Sequence, residues 1–220
     1  MPDIPVQDRV LRASVPEGIF TLSIEADDAA AAAEHAAFAD RCQPILLRVA
    51  EGDFSRAARL RHDLLAQLGA LRRSAAADGL GYLGALAGDH DGRPVVILLG
   101  IAAALVVLPD GIDPASLFAA VLRRQYPEAL VEEFDTAYGA GVGIRRCEEA
   151  DLAGPESDTE SLVIAAGISQ ALVPFPQAGL LGAVTAFTFA PDDIDVATVF
   201  TAMIAYHMAV VPNFGVVVEV

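Results

Sequence analysis

Residues Gly79 to Leu108 constrain the fold of this chain more than any other stretch. They contain two runs without a charged residue, Gly79 to Gly88 and Pro94 to Leu108, joined by a turn sequence that includes Asp91-Gly92. Short apolar runs bounded by turn residues are typical of buried β-strands. We therefore predict a buried β-hairpin at the centre of a sheet.

The rest of the chain alternates between short strand-like runs and longer helical patterns. Further strands are predicted at 18–24, 161–173, 180–190 and 214–220. Residues 129–134 and 137–147 are predicted to form either a strand pair or one long bent strand. Helices are predicted at 29–39, 55–78, 113–124 and 191–206, with 41–51 as an irregular or short helical connector. This order predicts an α+β fold, in which helices pack on a largely antiparallel sheet of about six or seven strands as an α/β/α sandwich.

Local signals refine these boundaries. Ser55 is placed to cap the second helix, and Asp113 followed by Pro114 to begin the third. Residues 1–17 carry three prolines and are interpreted as an N-terminal arm, so that residues 18–220 form a single domain. The acidic residues 148–161 are predicted to form an exposed loop.

The charge of the chain limits its partners. The formal net charge is −16 at pH 7, and all 14 basic residues are arginine. Because phosphate neutralisation needs clustered cations, this balance disfavours nucleic-acid binding and docking on anionic membranes. A basic protein partner fits the charge, and so does the simpler explanation that the charge serves solubility.

The N-terminus is polar, which predicts no secretory signal peptide. The uncharged run Pro94 to Pro109 is shorter than the ~20 residues that a membrane-spanning helix needs. Cys42 and Cys147 are far apart and form no CxxC pair, which indicates buried thiols in a reducing compartment. We therefore predict a soluble, cytoplasmic protein.

Some residues match motifs of catalysis or cofactor binding, but the sequence around them does not fit those functions. Gly79 to Gly84 matches GxGxxG, but these glycines follow a predicted helix and lead into a strand, the reverse of the dinucleotide-binding order. Asp89-His90-Asp91 offers metal-binding atoms, yet polar residues before glycine are ordinary in a hairpin turn. The carboxylates at 132–135 and 148–151 have no adjacent acid–base partner. We therefore predict no enzyme activity and assign no catalytic, cofactor or metal residue.

The second predicted helix is the one basic feature of an acidic chain. Its exposed faces are predicted to carry arginines, and four of them form the candidate interaction surface: Arg56, Arg59, Arg72 and Arg73. The alternative interpretation is a solvated helix face that neutralises nearby carboxylates.

Three segments carry a resemblance to a known group of proteins. They are the helix-to-strand passage from Leu71 to Tyr82, the turn Asp91-Gly92-Arg93-Pro94, and the run Val184 to Pro191 followed by a helix from Val199 to Tyr206. Over roughly residues 16–212 the chain resembles actinobacterial PsbP-like, LpqN-type α/β/α sandwich proteins, which are often encoded near type VII secretion genes. The resemblance implies a non-enzymatic accessory or binding protein and assigns no functional residue. Many such proteins are lipoproteins, whereas this chain has no lipobox cysteine near its start.

Two functional classes remain open. The first is a non-catalytic protein-interaction or accessory module, secretion-associated or chaperone-like. The second is a binder of small or lipophilic molecules, with a cavity between sheet and helices lined by strands such as Gly100 to Ala104. Self-association into a homo-oligomer is also predicted, because apolar strand edges such as Val216 to Val220 are templates for pairing.

Overall fold

The computed structural model describes residues 1–25, 27–77, 79–108, 111–151, 163–188 and 191–212. The strands are β1 (Asp3–Val6), β2 (Arg9–Arg12), β3 (Phe20–Leu22), β4 (Tyr82–His90), β5 (Arg93–Leu105), β6 (Leu130–Thr136), β7 (Gly139–Asp151), β8 (Val163–Phe175), β9 (Leu180–Thr188) and β10 (Ala209–Pro212). The α-helices are α1 (Asp28–Val49), α2 (Phe54–Ala77), α3 (Pro114–Gln125) and α4 (Ile194–Tyr206). The predicted α+β class is confirmed.

A seven-stranded antiparallel sheet forms the centre of the fold, in the order β3-β4-β5-β9-β8-β7-β6. The predicted hairpin is β4–β5, closed by Asp91 and Gly92 with φ of 52° and 77°. Positive φ at both central residues is the geometry of the tight hairpin turn that Asp-Gly favours. The middle strand of the sheet, however, is β9, because long-range pairing places β9 between β5 and β8.

Three helices cover one face of this sheet. Cross-strand pairing aligns Leu83, Gly100, Thr185, Gln170 and Ile144 in one row across β4, β5, β9, β8 and β7. At one end of the row, Leu83 belongs to the core cluster of α1 and α2, whereas Ile144 at the other end belongs to that of α3. Paired residues in a row point to the same face of a sheet, so α1, α2 and α3 share this face.

The opposite face carries α4 and a second, three-stranded sheet in the order β1-β2-β10. Ile101 is adjacent to Gly100 in β5 and Val184 to Thr185 in β9, so both point to the opposite face from the row described above. They pack in one cluster with Ile204 of α4 and Leu11 of β2. Leu11 is fully buried. Residues 1–17, interpreted from sequence as an arm, thus contain the hairpin β1–β2, which helps to cover the core.

Helix α1 extends further than predicted, because it passes through Pro44. A proline inside a helix removes one hydrogen bond and costs about 3 kcal/mol. The next two residues, Ile45 and Leu46, are 9% exposed, and burying each such side chain contributes ~1.5–3 kcal/mol. Tertiary packing therefore offsets the local penalty, and the predicted connector at 41–51 is mostly helix.

The caps of α2 and α3 show one corrected and one confirmed prediction. Asp53, not Ser55, caps α2, since its Oδ1 accepts the N–H groups of Ser55 at 2.8 Å and Arg56 at 3.1 Å. These backbone hydrogen bonds, that of Arg56 foremost, lower the pKa of Asp53. Asp113 caps α3 as predicted and accepts the N–H of Ser116 at 2.8 Å.

The predicted loop at 148–161 and the predicted last strand at 214–220 lie partly or wholly outside the described residues. Residues 148–151 are the end of β7 and not loop. Within the described ranges, no helix is long and apolar enough to cross a bilayer.

Candidate interaction surface

The four arginines singled out from the sequence all lie on α2 but do not form one group. Arg56, Arg59 and Arg73 are exposed, and the rise of a helix separates Arg59 from Arg73 by about 21 Å. Arg72 has a side chain only 15% exposed and donates to the Asp28 carboxylate at 3.1 Å and the Ile24 carbonyl at 3.3 Å. Arg72 thus ties α2 to the segment before α1, and binding by the other three stays a prediction.

The polar turn between β4 and β5 is held by contacts of its own. The Asp89 carboxylate accepts the N–H of Gly92 at 2.8 Å and pairs with the Arg48 guanidinium. These contacts, that of Arg48 foremost, lower the pKa of Asp89. In the part of the chain that the structure describes, no three His, Cys, Asp or Glu side chains are grouped as a metal site.

A different surface emerges around α4. This helix has only one charged residue, Asp195, and its apolar side chains extend around more of its circumference than the sheet can cover. Val199, Met203 and Tyr206 are 58%, 48% and 52% exposed. Their spacing of four and three residues places them in one line on the helix, which we name the α4 stripe.

Beside the α4 stripe lies the edge of the large sheet. Strand β6 is terminal in the sheet, so one side of its backbone has no partner strand among the described residues. Leu130 and Phe134 point to the face that carries α4, and Leu130 is 47% exposed. We define the α4–β6 surface as the α4 stripe together with Leu130 and Phe134.

A cavity of about 360 Å³ lies between α4 and β6, next to Leu130 and Phe134, and its lining does not include the α4 stripe. Its wall includes Thr198 and Ala202 of α4, and its floor includes Ser169 and Thr201, both 2% exposed. The Ser169 and Thr201 hydroxyls lie 2.9 Å apart, and Thr201 also donates to the Thr198 carbonyl at 3.0 Å. The polar floor is thus internally satisfied, and the cavity is open to an apolar or amphipathic side chain.

Arg145 of β7 fixes α4 relative to β6. Its guanidinium donates to Glu132 of β6 at 3.4 Å and to Asp195 of α4 at 3.1 Å. The single charge of Arg145 is thus shared between the carboxylates of Glu132 and Asp195. Glu133 and Asp135 of β6 lie on the opposite face of the sheet from α4. Both are exposed, and neither has an ion pair with a described residue.

A second concave region lies between the small sheet and the hairpin turns of the large sheet. It is a groove of about 850 Å³ lined by Arg9, Tyr138, Phe175, Pro176, Ala178 and Val210, among others. The Tyr138 and Phe175 rings pack 5.4 Å apart. Neither concave region is lined by Gly100 to Ala104, the strand named for a cavity on sequence grounds.

The sequence pattern of α4 neither marks Val199 and Met203 as exposed nor connects them with β6. The available signal was the composition of α4, since a helix that is apolar nearly all round has more apolar surface than one sheet can bury. Comparison of the whole chain with protein-family profiles, with curated proteins and with solved structures finds no match.

Proposed function

We propose that this protein is a non-catalytic interaction module that binds a protein partner through the α4–β6 surface. The observation that carries the proposal is the α4 stripe, three large apolar side chains each about half exposed and aligned on one helix. They lie on a chain of net charge −16, where a contiguous exposed apolar patch marks an interaction site. An accessory or binding role, as the resemblance implies, agrees with such a surface.

The geometry around the stripe supports a docking role. The cavity beside Ala202 can receive an anchor side chain, and anchors that fill pockets dominate the energetics of protein interfaces. Arg145 bridges both walls of the cavity through its two ion pairs.

Site-specific photocrosslinking tests the proposal directly. A photoreactive phenylalanine analogue would replace Met203 in the full-length protein, expressed in its source cells, and irradiated samples would be analysed by mass spectrometry. The matched control carries the analogue at Ala70, an exposed position on α2. We expect a specific protein adduct from position 203 and none from position 70.

Two outcomes overturn the proposal. One is the absence of any adduct from position 203, and the other is the same set of adducts from both positions. An adduct between two copies of this chain assigns the surface to self-association and removes the need for a different partner.

A second candidate function rests on the groove beside Tyr138 and Phe175. Its volume of about 850 Å³ lies within the range of small-molecule sites, and its walls are largely apolar apart from the Asp8–Arg9 ion pair at 3.8 Å. A fatty acid fits such a groove, with its carboxylate competing with Asp8 for the Arg9 guanidinium. Titration of octanoate and dodecanoate into isotope-labelled protein, followed by NMR, tests it: shifts at Tyr138 and Val210 support binding, and unchanged spectra at millimolar ligand exclude it.

A further inference from the structure

The edge of β6, which has no partner strand among the described residues, specifies the chemistry of the partner. Building on the proposed function, we infer that the partner presents an extended segment of alternating apolar and basic side chains, which adds to β6 as an eighth strand of the seven-stranded sheet. An exposed strand edge offers a row of free backbone donors and acceptors, and adding a strand satisfies them.

Strand β6 is the better of the two edges of the large sheet. The opposite edge, β3, has three residues, whereas β6 has seven. Arg123 of α3 donates to the Val131 carbonyl at 3.3 Å and so occupies the start of β6. Residues 132–136 remain for pairing, which is long enough for a segment of about five residues.

Alternation follows from the two faces of β6. Side chains of an added strand lie beside those of its neighbour on the same face. On the α4 face the neighbours within 132–136 are Glu132, Phe134 and Thr136. The Glu132 carboxylate pairs with Arg145, and the ring of Phe134 favours an apolar side chain. On the other face the neighbours are the carboxylates of Glu133 and Asp135, which favour arginine or lysine.

Charge complementarity distinguishes this partner from a second copy of the chain. The Glu132 carboxylate is already matched by Arg145, but Glu133 and Asp135 have no ion pair among the described residues. An edge-to-edge pairing of two β6 strands would place these carboxylates beside their equivalents, and like charges directly opposite each other destabilise a strand pair. A basic segment would pair with Glu133 and Asp135. It would therefore not meet the repulsion that disfavours pairing of β6 with a second copy of the chain.

Peptide binding to the full-length protein tests the inference. The probe is a capped eight-residue peptide that alternates valine and arginine. One control has the same composition in two blocks, and a second alternates valine and glutamate. A third keeps the alternating sequence but carries an N-methyl group on every second backbone amide. The edge of the peptide that would pair with β6 then cannot donate hydrogen bonds. Binding is followed by NMR, with amide shifts expected at residues 132–136.

We expect the alternating basic peptide to bind at least tenfold more tightly than each control. The double variant Glu133→Lys/Asp135→Lys, both positions exposed, should weaken binding about tenfold. The matched variant Glu17→Lys, an exposed carboxylate outside the surface, should leave it unchanged. Equal binding of the block or N-methylated peptide would overturn strand addition, and so would shifts located outside β6 and α4.

The two proposals fail separately. If position 203 crosslinks to a partner but the alternating peptide does not bind, the interaction module stands and strand addition is wrong. If the peptide binds at 132–136 but position 203 yields no adduct in cells, the edge has the inferred chemistry and the proposed function is wrong.

Discussion

The ring of Phe134 lies over the backbone of Gly141, its cross-strand neighbour, so closely that a Cβ at Gly141 would be 2.7 Å from Phe134 Cζ. The same Cβ would be 3.1 Å from the Leu172 carbonyl oxygen of β8. The glycine is therefore what allows the ring to lie flat against the sheet at the base of the α4–β6 surface.

Gly141→Ala should lower the free energy of unfolding by about 1–3 kcal/mol, because ring and strand must both shift. Gly143→Ala is the matched control, since the nearest atom to its added Cβ is 3.8 Å away, an ordinary contact. We expect a change within about 0.5 kcal/mol there. Urea denaturation of both variants measures the difference, and equal stabilities would show that Phe134 moves aside at no cost.

His35 on α1 should make stability depend on pH. The residue is 7% exposed, and its Nε2 has no hydrogen-bond partner in the part of the chain that the structure describes. Burial, and secondarily the Arg72 charge, lower its pKa, while Glu34 acts in the opposite direction. The unfolded chain therefore binds the proton more tightly, so stability is complete above the ordinary histidine pKa of about 6.5 and is lost as the pH falls below it.

His35→Leu should flatten this loss of stability between pH 7.5 and 5.5, because the substitution removes the imidazole that takes up the proton. It also removes the polar atom that has no hydrogen-bond partner among the described residues. Exposed His62 on α2 gives the control, and His62→Leu should retain the wild-type slope. Thermal unfolding across this pH range measures both variants. A slope that persists in His35→Leu would assign the effect to another group.

The buried hydroxyl pair under α4 should behave as a unit. Thr201→Val leaves the Ser169 hydroxyl, 2% exposed, without its partner at 2.9 Å, which costs about 1–3 kcal/mol. Adding Ser169→Ala removes the orphaned group, so the double variant should lose less stability than the two single variants summed. Denaturant unfolding of the four proteins completes the cycle, and strict additivity would mean that the two hydroxyls are not coupled.

The two cysteines should differ strongly in reactivity. Burial raises the pKa of the Cys42 thiol to about 11, which leaves about one thiolate in a thousand at pH 8. Cys147 is exposed. Iodoacetamide should therefore modify Cys147 within minutes and Cys42 only upon unfolding, as mass spectrometry of the native protein and of a Cys147→Ser variant would show. Rapid labelling of Cys42 would reveal opening of the α1–α2 packing.

Local chemistry is where prediction and structure agree. The Asp91-Gly92 turn, the Asp113 cap and the end of α2 before Gly79 each depend on residues adjacent in sequence. The number of strands in the large sheet also follows from local sequence, because turn residues separate one strand-like run from the next. By contrast, Pro44 inside α1 could not be predicted, because distant side chains supply the burial that offsets its cost.

The candidate site illustrates the same division. From the sequence alone, α4 is a helix, and 129–134 is a strand with carboxylates, since periodicity and composition are local properties. Periodicity does not say which side of a helix faces the sheet when nearly every side is apolar, so the sequence could not single out Val199 and Met203 as exposed. Strand order is set by pairing between distant segments, and that pairing alone placed β6 at the edge beside α4. The sequence by itself thus determined the elements and their chemistry, and the tertiary structure decided which of them meet and which remain uncovered.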